Sequence, residues 1–275
     1  MSTYLPRIIG GLVNVIGFFS STWSAKLAIT LFSLPKKGGI KQNETTFLNT
    51  AIQKKVSCED IPIMTYQWEG SRDRILLVHG WESNTFRWKP LIKRLQALDY
   101  DVIALDAPAH GNSGGKLFTG LLYSECIHVV AKQFEVQTII GHSMGGMSSI
   151  IAQQKYKLPT IKKFVLLGSP SNFIGLFDRY ALMMGYSKTV LNSMNTYCLK
   201  HYDHLPEYFS AANFFKDVPA KGLIIHDKDD PVIPFSDALD IKNHYQNSQL
   251  IETTGFGHGL KSKKVYDHVM DFLNA

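Results

Sequence analysis

The chain has 275 residues, 45% hydrophobic and 19% charged, a composition that can bury a large core and excludes a low-complexity or disordered protein. With 29 basic and 23 acidic residues the net charge is +6. Lys and Arg are scattered without a long basic block, so a nucleic-acid surface is not indicated, while attraction to an anionic membrane remains open. The three cysteines, Cys58, Cys126 and Cys198, show no C-x-x-C or metal-ligand spacing. They fit free thiols in a reducing compartment better than a disulfide framework.

Residues 1–42 form an apolar segment and linker. No charge falls between Ile8 and Ala25, but Gly10, Gly11, Asn14 and Gly17 interrupt the run and argue against a stable membrane span. A cleaved signal is weakly supported, because Arg7 is a thin positive region and cleavage after Ala25 would put Trp23 where a small side chain belongs. The spacing from Trp23 to Phe32 predicts an amphipathic helix ended by Pro35. Residues 1–35 are therefore expected as helices packed on the domain or lying peripherally on a membrane. Pro35–Gln42 reads as a linker.

The main domain runs over 43–275. Asn43 reads as the N-cap of a helix extending to about Lys55. Val56–Cys58 and Ile63–Trp68 read as an antiparallel edge. From Arg74 onward strands alternate with helices, which predicts an α/β fold with a mostly parallel sheet covered on both faces. The strands are Ile75–Val78, Val102–Leu105, a run ending near Ile140, Phe164–Leu167, Leu223–His226 and Gln249–Glu252. Helices are expected near 88–98, 119–134, 236–245 and 261–273, and an insertion occupies about 169–220.

Chemistry concentrates at GHSMGG, residues 141–146. An apolar strand breaks there and resumes with helical spacing, so G-x-S-x-G sits on a sharp strand–helix turn, a nucleophile elbow. Gly141 and Gly145 let strand and helix pass closely while Ser143 is held in a strained backbone next to a helix N-terminus. A serine hydroxyl needs a histidine base, an orienting carboxylate and oxyanion donors. The base candidate is His258, in GFGHG between the last strand and the last helix. For the acid, IIHDKDDPVIP supplies Asp227, Asp229 and Asp230. Position favours Asp230, just before Pro231, whereas Asp227 follows the strand directly and suits a turn. Asp106, Pro108, His110 and Ser113 read as a tight structural loop, and His142 as a packing or hydrogen-bonding group. Trp81 and Glu82 are expected at the mouth of the site.

HGW (79–81), DAPAHGNSGG (106–115), GHSMGG, the acid loop and GFGHG, in this order, resemble the α/β-hydrolase superfamily from about Ile63 onward. The resemblance implies Ser143 as nucleophile, Asp230 as acid and His258 as base. It also implies an oxyanion hole from the main-chain N–H groups of Trp81 and Met144. It makes the insertion a small helical cap, with Phe173, Phe177, Met183 and Met184 as candidates, beside Glu82, for contact with substrate. Neither metal nor organic cofactor is implied.

The expected activity is a serine hydrolase acting on small-molecule carboxylic esters or thioesters of apolar acyl groups. Lipase or monoacylglycerol-type, amide and C–C bond hydrolysis are the alternatives within enzymes, and a catalytically silent binding protein is the rival outside them. A cytoplasmic location with optional membrane association is expected. The sequence sets no oligomeric state.

Overall fold

A computed structural model describes residues 4–275. The chain begins with α1 (Tyr4–Phe19), α2 (Ser21–Ser33) and α3 (Gln42–Leu48). The edge strands β1 (Ile52–Cys58) and β2 (Ile61–Trp68) follow. Then come β3 (Arg72–Val78), α4 (Lys89–Ala97), β4 (Tyr100–Leu105), α5 (Gly120–Gln133), β5 (Thr138–His142), α6 (Met144–Tyr156) and β6 (Lys163–Leu167). The insertion carries α7 (Phe173–Met184), α8 (Lys188–Tyr202) and the short α9 (Ala211–Phe214). β7 (Lys221–Asp227), α10 (Phe235–His244), β8 (Ser248–Thr253) and α11 (Lys263–Asn274) close the chain. Two units result: residues up to Leu34 with Asn172–Asn213, and Pro35–Ser171 with Phe214–Ala275.

The larger unit is built on an eight-stranded sheet of order β1-β2-β4-β3-β5-β6-β7-β8. β1 pairs antiparallel with β2, and β2 antiparallel with β4; every later pairing is parallel. β4 and β5 are buried at every residue, as strands covered on both faces must be. On one face Ile75, Leu77, Ile140, Val165 and Leu223 pack with Leu91, Ile92 and Leu95 of α4 and with Val265, Val269 and Phe272 of α11. Each such fully buried aliphatic side chain contributes about 1.5–3 kcal/mol. From β3 the chain first crosses to β4 on one side and later to β5 on the other. The carboxyl ends of β3 and β5 therefore flank a switch point, where open α/β sheets offer a crevice. His79–Trp81 leave one end and Ser143 the other.

One boundary differs from the sequence reading. The helix expected from Asn43 to Lys55 starts after Lys41 and stops at Leu48. Glu44 turns back to accept from the Lys41 main-chain N–H at 2.9 Å, the returning half of a capping box. Ile52–Lys55 then pair with Met64–Gln67 in β2, so these residues join the sheet instead of extending the helix. Lys54 and Lys55 lie exposed on this edge strand, where charge discourages further strand pairing.

In the smaller unit α1 and α2 pack with α7 and α8. Val13, Ala28 and Ile29 share a core with Phe177, Val190 and Met194, and Phe32 sets its ring edge-on to Phe177 and Tyr180. Asn14 clamps the α7–α8 turn by donating to the Gly185 carbonyl (2.9 Å) and accepting from the Ser187 N–H (2.8 Å). The segment that the sequence sets apart as 1–42 thus shares, up to Leu34, a unit with the insertion. Among the described residues no helix is long and apolar enough to cross a membrane.

Candidate active site

β5 ends at His142 and α6 begins at Met144, so Ser143 alone makes the turn. Its φ of 52° and ψ of −126° form a conformation that costs a non-glycine residue about 1–3 kcal/mol. The surroundings hold it there: the Ser143 N–H donates to the Leu167 carbonyl at 2.8 Å, and its carbonyl accepts from the Gly146 N–H at 2.9 Å. A Cβ on Gly141 would strike the Gly146 backbone, and one on Gly145 would strike the Val78 and His79 carbonyls. The elbow therefore requires glycine at both positions.

Asp230, in the loop after β7, and His258, in the loop after β8, meet this serine. His258 Nε2 lies 3.0 Å from Ser143 Oγ, and His258 Nδ1 lies 2.7 Å from Asp230 Oδ2. A carboxylate only accepts, so Nδ1 carries the proton and Nε2 presents a lone pair to the hydroxyl. Asp230 Oδ1 accepts from the N–H groups of Val232 (2.8 Å) and Ile233 (3.0 Å). Burial works to raise the Asp230 carboxyl, but the His258 bond and these two N–H donors outweigh it and hold it below the usual range. Its side chain is fully buried, so the ion depends on these partners.

The other two acids do different work. Asp227 accepts from Thr253 Oγ1 (2.8 Å), the Phe256 N–H (3.0 Å) and the Asp229 N–H (3.1 Å). Burial pushes its carboxyl up, and these donors bring it below the usual range. Asp229 accepts from the Gly255 N–H at 3.0 Å. Both brace the loop that carries His258, whose Gly255 and Gly257 take positive φ.

Two further braces hold that loop. His142 Nε2–H donates to the His258 carbonyl at 2.7 Å, which commits this ring to the main chain. Burial above all, then the charge of Arg87, keeps the His142 imidazole well below the usual histidine range, and so neutral. Arg87, itself buried, donates to the Gly259 carbonyl at 2.9 Å and stacks on Trp88. Sequence reasoning did not single out Arg87. Its one signal is an arginine between Phe86 and Trp88, where a core helix begins.

The HGW loop passes directly under the serine: a Cβ on Gly80 would come within 2.9 Å of Ser143 Cβ. Trp81, the next residue, sets its ring edge-on to Phe118 and His110. Met144 is the first residue of α6, whose leading N–H groups have no intrahelical acceptor. Glu82 turns to the linker instead, accepting from the Lys36 N–H at 2.8 Å, while its own N–H donates to His110 Nε2 at 2.9 Å. Asp106 accepts from the Thr85 and Asn112 N–H groups and the Tyr66 hydroxyl, so it ties the 106–115 loop both to itself and to its neighbours. Phe173, Phe177, Met183 and Met184 belong to the helical unit. There Phe177 and Met184 are buried, Phe173 packs on Phe209, and Met183 is exposed.

Residues 73–187 match the family model described as the alpha/beta hydrolase fold. The dihydrolipoyllysine-residue acetyltransferase component of an acetoin cleaving system from Cupriavidus necator is 30% identical over 136 residues, 48% of this chain and 34% of that one. A pimeloyl-[acyl-carrier protein] methyl ester esterase from Xylella fastidiosa is 26% identical over 129 residues, 42% of this chain and 49% of that one. The chain thus spans about half or less of the length of these curated relatives. An esterase structure from Exiguobacterium antarcticum superposes with a TM-score of 0.63 at 17% identity, covering 82% of this chain and 100% of that one. Sheet order and family match agree: the chain has the α/β-hydrolase fold.

Proposed function

We propose that the protein is a serine hydrolase that cleaves carboxylic esters or thioesters of apolar acyl groups through an acyl-enzyme on Ser143. The observation that carries this reading is the unbroken relay from Ser143 Oγ to His258 Nε2 (3.0 Å) and from His258 Nδ1 to Asp230 Oδ2 (2.7 Å) on a strained elbow. In the proposed cycle Oγ attacks the acyl carbon as His258 Nε2 takes its proton. The oxyanion accepts from the N–H groups of Trp81 and Met144. The imidazolium, steadied by Asp230, then protonates the departing alcohol or thiol, leaving an ester on Ser143. His258 next deprotonates a water that attacks this ester, and returns the proton to Oγ.

The preference for apolar acyl groups rests on the insertion, whose aromatic and Met side chains greatly outnumber its charges between Ser169 and Met194. The Xylella relative, named for a methyl ester esterase, supports ester chemistry for this reading. Turnover of short p-nitrophenyl esters tests it. Hydrolysis by the wild type that Ser143→Ala abolishes, with the fold intact, is expected. Equal turnover by Ser143→Ala would remove the assignment.

A further inference from the structure

Side-chain size runs the wrong way round α1. The face turned to the helical unit carries Gly10, Val13 and Gly17. Gly10 abuts the Met184 main-chain carbonyl, and a Cβ on Gly17 would come within 3.1 Å of the Val190 side chain. The outer face carries Leu5, Ile8, Leu12, Val15 and Phe19 at three- and four-residue spacing, each between 55% and 81% exposed. Phe18 and Trp23 extend this apolar surface around the α1–α2 turn. A continuous stripe of this kind, on a helix with no acidic residue, exceeds the scattered apolar exposure of an ordinary surface.

We propose that this face of α1 docks in the plane of an anionic lipid bilayer. Charge selects the occupant. Within the same unit, residues 4–34 contain Arg7 and Lys26 and neither Asp nor Glu. A bilayer with anionic headgroups supplies the missing counter-charge, whereas pairing with a second copy would bring two cationic segments together without any. Phe18 and Phe19 meet edge to face at the end of α1, and at the start of α2 the Lys26 ammonium lies 5.5 Å above the Trp23 ring. An amphipathic Trp ring beside a cation suits the headgroup boundary. At 16 residues α1 is about 24 Å long, and among the described residues no helix is long and apolar enough to cross a membrane, so the proposed docking lays the helix along the surface.

The test is co-sedimentation of the full chain with vesicles of phosphatidylglycerol and phosphatidylcholine, compared with phosphatidylcholine alone. Wild type is expected to pellet with the anionic vesicles and to be released by high salt. Leu12→Asp with Phe19→Asp should lower the partition coefficient by roughly 10-fold or more, with ester turnover in solution unchanged. The milder Leu12→Ser with Phe19→Ser covers the case in which the aspartates unfold the unit. Ser143→Ala should bind vesicles as the wild type does, which keeps this result separate from the catalytic assignment. Failure of the wild type to pellet would overturn the proposal, as would equal pelleting of folded variants. A dimer in sedimentation velocity that these substitutions dissolve, without vesicle binding, would assign the face to a second copy instead.

Discussion

Asp230→Asn should be far more damaging to turnover than its single-atom change suggests. The Val232 and Ile233 N–H groups, at 2.8 and 3.0 Å, both point at Oδ1. They force the amide oxygen of asparagine into that place and turn the NH2 toward His258. Nδ1 must then accept rather than donate, so the ring proton moves to Nε2 and faces Ser143 Oγ. The base becomes a donor, and kcat should fall by about 10⁴-fold, equivalent to roughly 5 kcal/mol. Asp227→Asn instead weakens bonds to Thr253, Phe256 and Asp229, at a cost of about 1–3 kcal/mol in stability. The assay is kcat on a short p-nitrophenyl ester alongside Tm for both variants. The pH dependence has a defined sign. The Asp230 carboxyl lies below its usual range, so its stabilisation is present at neutral pH and lost as pH falls through the folded-state value. The Tm gap between wild type and Asp230→Asn should therefore narrow in acid. A kcat for Asp230→Asn within tenfold of wild type, or a larger loss for Asp227→Asn, would refute the reasoning.

Other consequences can be measured in the same assay. His142→Phe removes the donor to the His258 carbonyl and should lower kcat roughly tenfold with KM little changed, while His142→Gln restores part of it; an unaltered kcat in the Phe variant would deny His142 a positioning role. Gly80→Ala sets a Cβ 3.0 Å from the His142 carbonyl and against Ser143, and should abolish turnover; an active, folded variant would show that the loop can retreat. For a p-nitrophenyl series from acetate upward, about 0.8 kcal/mol per buried methylene implies roughly 15-fold in kcat/KM per two carbons while room remains. A steady fall from acetate would instead indicate a closed site for small acids.

The legible parts of this protein are local ones. Gly-x-Ser-x-Gly between an apolar strand and a helical pattern marks the elbow because strand period, turn and helix period all change within six residues. Asp230 before Pro231 and His258 among glycines stand out because each sits just past a strand, where loops at the carboxyl edge of a parallel sheet converge. What the sequence hides depends on distant partners. Arg87 reaches Gly259 and Asn14 reaches Gly185, separations of 172 and 171 residues that no local spacing encodes. The early end of α3 has the same origin: residues 52–55 satisfy a helical pattern by themselves, and only their ladder with β2 decides for a strand. Nor does periodicity show which face of α1 turns inward, since large apolar groups look like the core side until Gly10 and Gly17 are seen against α7 and α8.

The central claim is a covalent acyl-enzyme on Ser143, and an activity probe reads it directly. Wild-type protein treated with a fluorophosphonate should gain one probe mass, located by peptide mass spectrometry on the peptide containing Ser143. Labelling should be absent in Ser143→Ala and strongly slowed in His258→Ala. Folded wild-type protein that takes up no probe, or takes it up at another residue, would contradict the account.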